Sequence, residues 1–431
     1  MTSLVWFRND LRINDNQSLE RASLHDKTIA VYIFDPSHYE LSEFGFKKTE
    51  CFRAKFLIET IQDMRKSLDA LNITLLVHFD RPEKCLPQII KEHQIDTVYL
   101  QKEWTRDENQ QLLKVKTNCT TKVHFIESYD QFLYHPDDIP FRNFDTIPSV
   151  FTQFRKQCEK QVAVRSICAR PQKKDRSNKL ASENHIPSLM DLGFNAHQID
   201  DRTAFPFLGG ETSALDRLHD YLWQTKKVAN YKKTRNGLIG VDYSTKLSPW
   251  LANGSISAKA VYWQIKQFEQ KVVKNQDTYW VIFELMWRDY FKYISLKHGD
   301  DIFKIDGILK TSYKWDNDHK TLKSWINGKT AESFVNANMI ELSLTGWMSN
   351  RGRQNVASYW SKQLKQDWRI GASYFESMLI DYDVHSNWGN WMYNSGVGND
   401  PRNRTFNIKT QAERYDPHGK YQKLWLQQRL F

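Results

Sequence analysis

Four short runs carry side chains whose types and spacing suit chemistry. Between Tyr231 and Pro249 stand Lys232, Lys233 and Arg235, then Ser244, Thr245, Lys246, Leu247 and Ser248, ahead of a segment starting at Trp250. Hydroxyls, a lysine and backbone N–H groups near a helix start form either an anion site fit for a diphosphate or a capped loop. Glu284, Trp287, Arg288 and Phe291 recur three or four residues apart and share one helical face. Glu284 and Arg288 have the spacing of an i,i+4 ion pair, and an indole between two charges equally suits stacking on a nucleobase whose edge they hydrogen-bond. Asn350, Arg351, Arg353 and Gln354 flank Gly352 at another helix start, which reads as phosphate or carboxylate binding. The run from Leu379 to Trp391 sets Asp381, Asp383, His385 and Asn387 among apolar residues. Its Asp-x-Asp opening lacks the Gly and Glu of an EF-hand, since Ser386 and Met392 stand there. Two acids near Arg353 read instead as polar groups around a bound ligand.

Elements of two kinds position these runs. From Thr2 to about Tyr129, β-rich stretches (Leu4–Phe7, Thr28–Phe34, Ile73–Phe79, Thr97–Leu100, Val123–Ile126) alternate with helical patterns. The alternation predicts a doubly wound α/β domain over residues 1–129, a parallel sheet whose ligands lie beyond the C-terminal strand ends. No G-x-G-x-x-G and no P-loop is present. Over residues 130–203 periodicity fades, and basic residues from Arg155 to Lys179 crowd the segment between Pro171 and Pro187 and upstream of them. This reads as a solvated linker or as a basic strip along a phosphate backbone. Residues 204–431 are patterned as helices almost throughout, which predicts a second, all-α domain.

The chain has 431 residues, 40% hydrophobic and 26% charged, more than one core usually organises. Lys plus Arg exceed Asp plus Glu by 61 − 51 = +10, which suits a polyanionic partner such as nucleic acid or anionic lipid. No signal peptide or membrane span is legible, and five scattered Cys without metal spacing predict reduced thiols in a cytoplasmic protein and no metal centre. Trp is abundant, 15 against 17 Gly, and only Trp6 and Trp104 precede residue 200.

In their order, Trp-Phe-Arg-Asn-Asp-Leu-Arg at 6–12, Ser-Thr-Lys-Leu-Ser-Pro-Trp at 244–250, Glu-Leu-Met-Trp-Arg-Asp-Tyr at 284–290, Asn-Arg-Gly-Arg-Gln at 350–354 and Asp-Trp-Arg at 367–369 resemble the photolyase/cryptochrome family. Arg-Gly-Arg-Gln-Asn-Val-Ala-Ser and Asn-Trp-Gly-Asn-Trp-Met-Tyr place the resemblance with its DASH-type cryptochromes. The resemblance implies an N-terminal antenna domain and a C-terminal helical domain that holds U-shaped FAD. Tyr231 and Ser244, Thr245, Lys246, Leu247 and Ser248 match its diphosphate segment, Arg353 and Asp381 the pair beside the isoalloxazine, Asp383 its pyrimidine side, and Asn387 the residue near N5. Trp391, Trp368 and Trp315 match a chain that relays an electron from the surface to the flavin. Glu284, Trp287, Arg288, Asn350, Arg351, Tyr393 and Gln411 match the DNA-facing positions.

The activity implied is light-driven splitting of cyclobutane pyrimidine dimers by reduced FAD, on a dimer flipped out of the strand. Tyr393 stands where duplex-repairing relatives carry a second pocket Trp, and Gln354 where they carry Met. As in DASH proteins, these two imply a more polar pocket and a preference for single-stranded DNA. Glu103 resembles the acidic residue of a methenyltetrahydrofolate antenna site. The alternative is a blue-light photoreceptor with DNA binding and little repair. A chain that ends at Phe431, soon after Leu424-Trp425-Leu426, favours the enzyme. A monomer without membrane contact is expected.

Overall fold

Leu4, Val5, Trp6 and Phe7 offer no polar side chain to either face, and all four are fully buried in the computed structural model. The structure describes residues 1–181, 185–195 and 198–427; parts of the expected linker (182–184, 196–197) and the last four residues of the expected helical domain lie outside the described residues. The strands are β1 (Thr2–Phe7), β2 (Lys27–Phe34), β3 (Leu75–Phe79), β4 (Thr97–Gln101) and β5 (His124–Ser128). All pair in parallel in the order β3-β2-β1-β4-β5, with Leu4 opposite Ile29 and Val98. Helices α1 (Gln17–Ala22), α2 (Cys51–Ala70), α3 (Pro82–Glu92) and α4 (Arg106–Asn118) make the crossovers. Ile73, expected to open β3, belongs instead to the end of α2: Asn72 adopts a left-handed φ of 58° and the Ile73 N–H donates to Leu68 O at 3.0 Å, a helix-closing turn.

The strand order reverses between β1 and β4, and in such sheets the crevice beyond these two strand ends is the ligand position. Asn9 follows β1 and Glu103 follows β4. They meet there, Asn9 Nδ2 donating to Glu103 Oε1 at 3.1 Å, beside Gln101 Nε2 at 2.8 Å. Arg12, at the end of the first motif, locks this edge to the helical domain. Fully buried, it pairs with Asp130 at 2.7 Å and donates to the carbonyls of Asp15 and Gly254.

The segment read as a solvated linker is packed. It contains α5 (Phe151–Gln161), and Phe132, Leu133, Tyr134, Phe151, Phe154 and Cys158 join the core of the helical domain. Its later part is pinned to the sheet domain, with Asn178 bonded to both backbone groups of Thr28 and to Asn72 O. The basic side chains had masked this apolar stripe, which recurs at Phe151, Phe154 and Cys158 with helical spacing.

The remaining helices are α6 (Glu211–His219), α7 (Tyr231–Thr234), α8 (Ser248–Ala252), α9 (Ala258–Lys271), α10 (Gln276–His298), α11 (His319–Ile326), α12 (Ser333–Thr345), α13 (Asn350–Ser358), α14 (Trp368–Met378), α15 (Val384–Ser395), α16 (Ile408–Tyr415) and α17 (Lys420–Leu426). The long central α10 starts with a capping box between Asn275 and Thr278. The Asp-Tyr-Asp-Val-His-Ser-Asn run is the start of α15: the Asp383 side chain accepts from Ser386 N, and Gly396, at φ 83°, closes the far end. Among the described residues no helix is long and apolar enough to cross a membrane.

Candidate functional site

Side chains of α10 serve two different places. Glu284 and Trp287 meet one set of partners; Arg288, Lys292 and Ser295, toward the C-terminal half of the helix, meet another. Glu284 does not pair with Arg288. Arg235, at the end of α7, reaches it at 2.8 Å, while Arg288 gives its two terminal nitrogens to the carbonyls of Gln131 and Leu251. A guanidinium so committed to backbone at the domain interface has no free fork for a base or phosphate, so Arg288 leaves the expected DNA-facing set. Burial raises the Glu284 carboxyl above its ordinary value, and the Arg235 cation opposes that rise.

Trp287 is half-buried. One ring face stacks on Phe151, centroids 3.8 Å apart and planes 16° apart, and Tyr393 meets its edge at 6.0 Å and 89°. The Tyr393 hydroxyl accepts from Arg404, itself paired with Asp400 at 3.1 Å. Asn350 is exposed at the start of α13. Arg351 donates to Gln354 Oε1 at 2.8 Å and to Asn236 Oδ1 at 3.1 Å and lies over the Tyr415 ring. Gln411, one turn before Tyr415 on α16, holds a buried Oε1 without a partner. The short α7 segment thus links Glu284, through Arg235, to Arg351, through Asn236. Sequence spacing could not find Arg235, because its partner lies 49 residues away and a local mate was at hand.

Arg353 and Asp381 form the expected pair. Nη2 lies 2.9 Å from both carboxylate oxygens, and Nε donates to Met348 O. Asn387 donates from Nδ2 to Ala372 O at 3.0 Å, which directs its carbonyl end the opposite way. Tyr231 is buried at the start of α7. In the Ser244–Ser248 turn, the Ser244 and Thr245 carbonyls accept from Arg217 and Lys246 takes a left-handed φ of 62°. Lys246 Nζ is buried without a hydrogen-bond partner among the described residues, over the rings of Tyr243 and Trp347. Burial holds this amine well below its ordinary pKa. A buried amine with no partner is the donor an incoming anion would satisfy, so the residues present fit a dinucleotide with a diphosphate.

Glu341 borders the same cluster and accepts from Tyr421 Oη at 2.6 Å. Burial pushes its carboxyl up to about 8. The folded state therefore holds this proton more tightly than the unfolded chain does. The stabilisation is complete below the ordinary value of 4.5 and is lost as pH rises toward 8. Glu341→Gln should flatten that decline. In urea unfolding at pH 5, 6.5 and 8, the wild type should lose stability relative to the variant at each step, by up to about 1.4 kcal/mol per pH unit. Parallel curves would refute the assignment.

Trp391 and Trp368 are buried and Trp315 is half-buried. Trp391 packs against Phe375 (5.0 Å, 83°) and Trp325 (6.4 Å, 74°), Trp368 against Trp388 (5.7 Å) and Trp315 against Tyr313 (5.5 Å). Trp325 in turn lies 4.7 Å from Trp360, an indole pair that no motif signalled.

Between the domains lies a cleft of about 1110 Å³, walled by Arg8, Asn9, Gln101, Glu103, Arg288 and Lys292 among others. Asp383 faces this cleft and Asp381 does not. One oxygen of Asp383 caps α15, and the other pairs with Lys292 at 2.7 Å. The Asp383 side chain, expected by the flavin's pyrimidine side, is thus engaged as the N-cap of α15 and with Lys292. Behind His385, which lines the cleft, Trp104 stacks on the imidazole at 4.5 Å and donates its indole N–H to Ser295 Oγ at 2.8 Å. Gln101 Oε1 and Arg8 Nη1 are buried there without partners among the described residues, one acceptor and one donor around Glu103.

Residues 3–174 match the DNA photolyase family model and residues 280–429 the model for the FAD binding domain of DNA photolyase. The chain is 45% identical to cryptochrome DASH of Danio rerio, across 99% of its own length and 83% of that protein. It is 45% identical to cryptochrome DASH of Gloeobacter violaceus, across 99% and 85%. The crystal structure of the Synechocystis sp. cryptochrome superposes with a TM-score of 0.94 at 42% identity, covering 99% of this chain and 88% of that one.

Proposed function

The chain belongs to the photolyase/cryptochrome family, among the cryptochromes DASH, and carries its FAD-binding domain, and from that premise we propose that it repairs cyclobutane pyrimidine dimers under blue light, with single-stranded DNA as its preferred substrate. The observation that carries the proposal is the Glu284–Arg235 pair beside Trp287. A carboxyl raised by burial adjoins an indole at a rim built from Arg235, Asn236, Arg351 and Gln411. Such a rim holds a strand by phosphate contacts, while the ring and the acid engage a base flipped toward them.

When bound, reduced FAD supplies the light-driven electron that splits the dimer and is afterwards returned. The residues of this chain do the rest. Arg353, Asp381 and Asn387 orient the ring system, and Lys246 with the Ser244–Ser248 turn takes the diphosphate. Trp391, Trp368 and Trp315 carry an electron inward from the surface. Glu284 hydrogen-bonds the dimer, and Trp287 stacks on it.

The single-strand preference follows from Tyr393 and Gln354. Both carry polar atoms already engaged, with Arg404 and Arg351, so the pocket gains less from a flipped base than two indoles would. That smaller gain meets the unstacking cost in a single strand more readily than the added unpairing cost in a duplex.

A folate antenna, methenyltetrahydrofolate, suits the cleft. Gln101 Oε1 and Glu103 would hold the amino and ring N–H groups of a pterin, and a cleft of about 1110 Å³ has room for it. The five free cysteines fit a reducing cytoplasm, and the protein acts as a monomer. Acid release of the chromophores followed by chromatography, with gel-shift titrations of single-stranded and duplex oligonucleotides, tests these assignments. FAD together with a folate, and tighter single-strand binding, are expected. Release of no flavin would end the proposal.

A further inference from the structure

The segment that joins the domains supplies the rear wall of the lesion platform. Trp287 has one ring face closed by Phe151, whose near-parallel stack at 3.8 Å is among the tightest ring contacts in the molecule, while Phe291 lies tilted at 5.6 Å and Tyr290 and Tyr393 meet the ring at steep angles. Phe151 is buried and opens α5, so this wall comes from the connection and not from the helices around the flavin site. The chain just before it is pinned twice: Pro148 O accepts from Tyr290 Oη at 3.2 Å, and Ser149 O accepts from Asn399 Nδ2 at 2.9 Å. Asn399 also donates to Tyr290 Oη at 3.2 Å, and it precedes Asp400, the partner of Arg404, which holds Tyr393. The stack behind Trp287 and the edge contact from Tyr393 are thus tied to the same loop.

We propose that Phe151 is a positioning residue for lesion recognition, holding the Trp287 ring so that its exposed part receives the flipped base of a pyrimidine dimer. The inference rests on the reading of Trp287 as a lesion platform. An indole free to rotate about its side-chain torsions spends ordering entropy on each binding event, and a ring held by a parallel neighbour does not. Losing the neighbour should weaken lesion binding selectively, because contacts to lesion-free phosphates do not pass through Trp287.

The test uses the full-length flavoprotein and a single-stranded oligonucleotide with or without one thymine dimer, and reads the ratio of the two affinities. Phe151→Ala should lower that ratio at least tenfold while lesion-free binding changes less than twofold, and Phe151→Tyr should restore it. Phe151→Leu, which keeps apolar volume but removes the ring, should lose the ratio as well and serves if the alanine variant is unstable. Phe154→Ala, whose ring packs on Phe141, Tyr290 and Tyr293 instead, should lower the melting temperature and leave the ratio unchanged. An unchanged ratio in Phe151→Leu, with the ratio abolished in Trp287→Ala, would overturn the inference and spare the platform. An unchanged ratio in Trp287→Ala would overturn both.

Discussion

Arg353→Leu will give a protein that purifies almost colourless, with less than about a tenth of the wild-type flavin per chain. The reason is the asymmetry of the pair it breaks. Asp381 is buried and has both oxygens 2.9 Å from one Arg353 nitrogen, so removing the cation leaves a buried carboxylate uncompensated. Breaking a buried pair from one side costs about 3–5 kcal/mol, and the loss falls on the state that must also hold the ligand. The double variant Arg353→Leu/Asp381→Leu removes the orphaned charge. Its melting temperature should recover most of the way while it stays flavin-free, which separates folding from binding. Arg353→Lys keeps a charge but not the fork, and should load partially. The ratio of visible to 280 nm absorbance, read alongside thermal unfolding, checks all three. Full loading of Arg353→Leu would remove the pair from the site.

Trp391→Phe should slow photoreduction at least tenfold and cost only the cavity left by the smaller ring, about 1–2 kcal/mol, with no hydrogen-bond penalty. The two outcomes are predicted together because the Trp391 indole N–H is buried without a partner, so phenylalanine forfeits no hydrogen bond and leaves no acceptor stranded. The ring is fixed by Phe375, by Trp325 and by the bare backbone of Gly371, where a Cβ would lie 2.3 Å from Trp391 Cη2. Trp368 makes a useful contrast. Its N–H donates to Ile305 O at 2.9 Å, so Trp368→Phe should slow photoreduction and cost about 1 kcal/mol more stability than Trp391→Phe does. Time-resolved absorbance after a flash reports the first quantity and urea unfolding the second. Photoreduction at the wild-type rate in Trp391→Phe would dismiss it as the innermost donor.

How much of this was legible depended on whether the signal was local. The five strands stood out because buried parallel strands are continuous apolar runs, whereas Glu103 came only from the resemblance, and the reversal of sheet order that sets it at the crevice was not legible in the sequence. Helix α15 was read as a cluster of polar residues, since Ser, Asn, Gly and Trp are weak helix formers, although its Asp383 cap and closing Gly396 were both present in the sequence. Spacing put Glu284 and Arg288 on one helix, one turn apart, and could say nothing about Arg235 or the Gln131 and Leu251 carbonyls that claim them. The partner of Asp383 was hidden for the same reason: Lys292 stands 91 residues earlier, on α10. Phe151 lay inside a run dominated by lysines and arginines, where charge hid a core-facing stripe. Periodicity reports which face a residue occupies, and tertiary packing alone decides what that face meets.

The most direct test of the account is repair itself. The purified protein is reduced in the light, mixed with single-stranded and duplex oligonucleotides that each carry one thymine dimer, illuminated with blue light, and assayed for restored thymine against a dark control. The account predicts light-dependent restoration, faster in the single strand than in the duplex, and at least tenfold slower with Trp287→Ala. No restoration in either substrate by a fully flavin-loaded, reduced protein would contradict it and leave light sensing as the chemistry to explain.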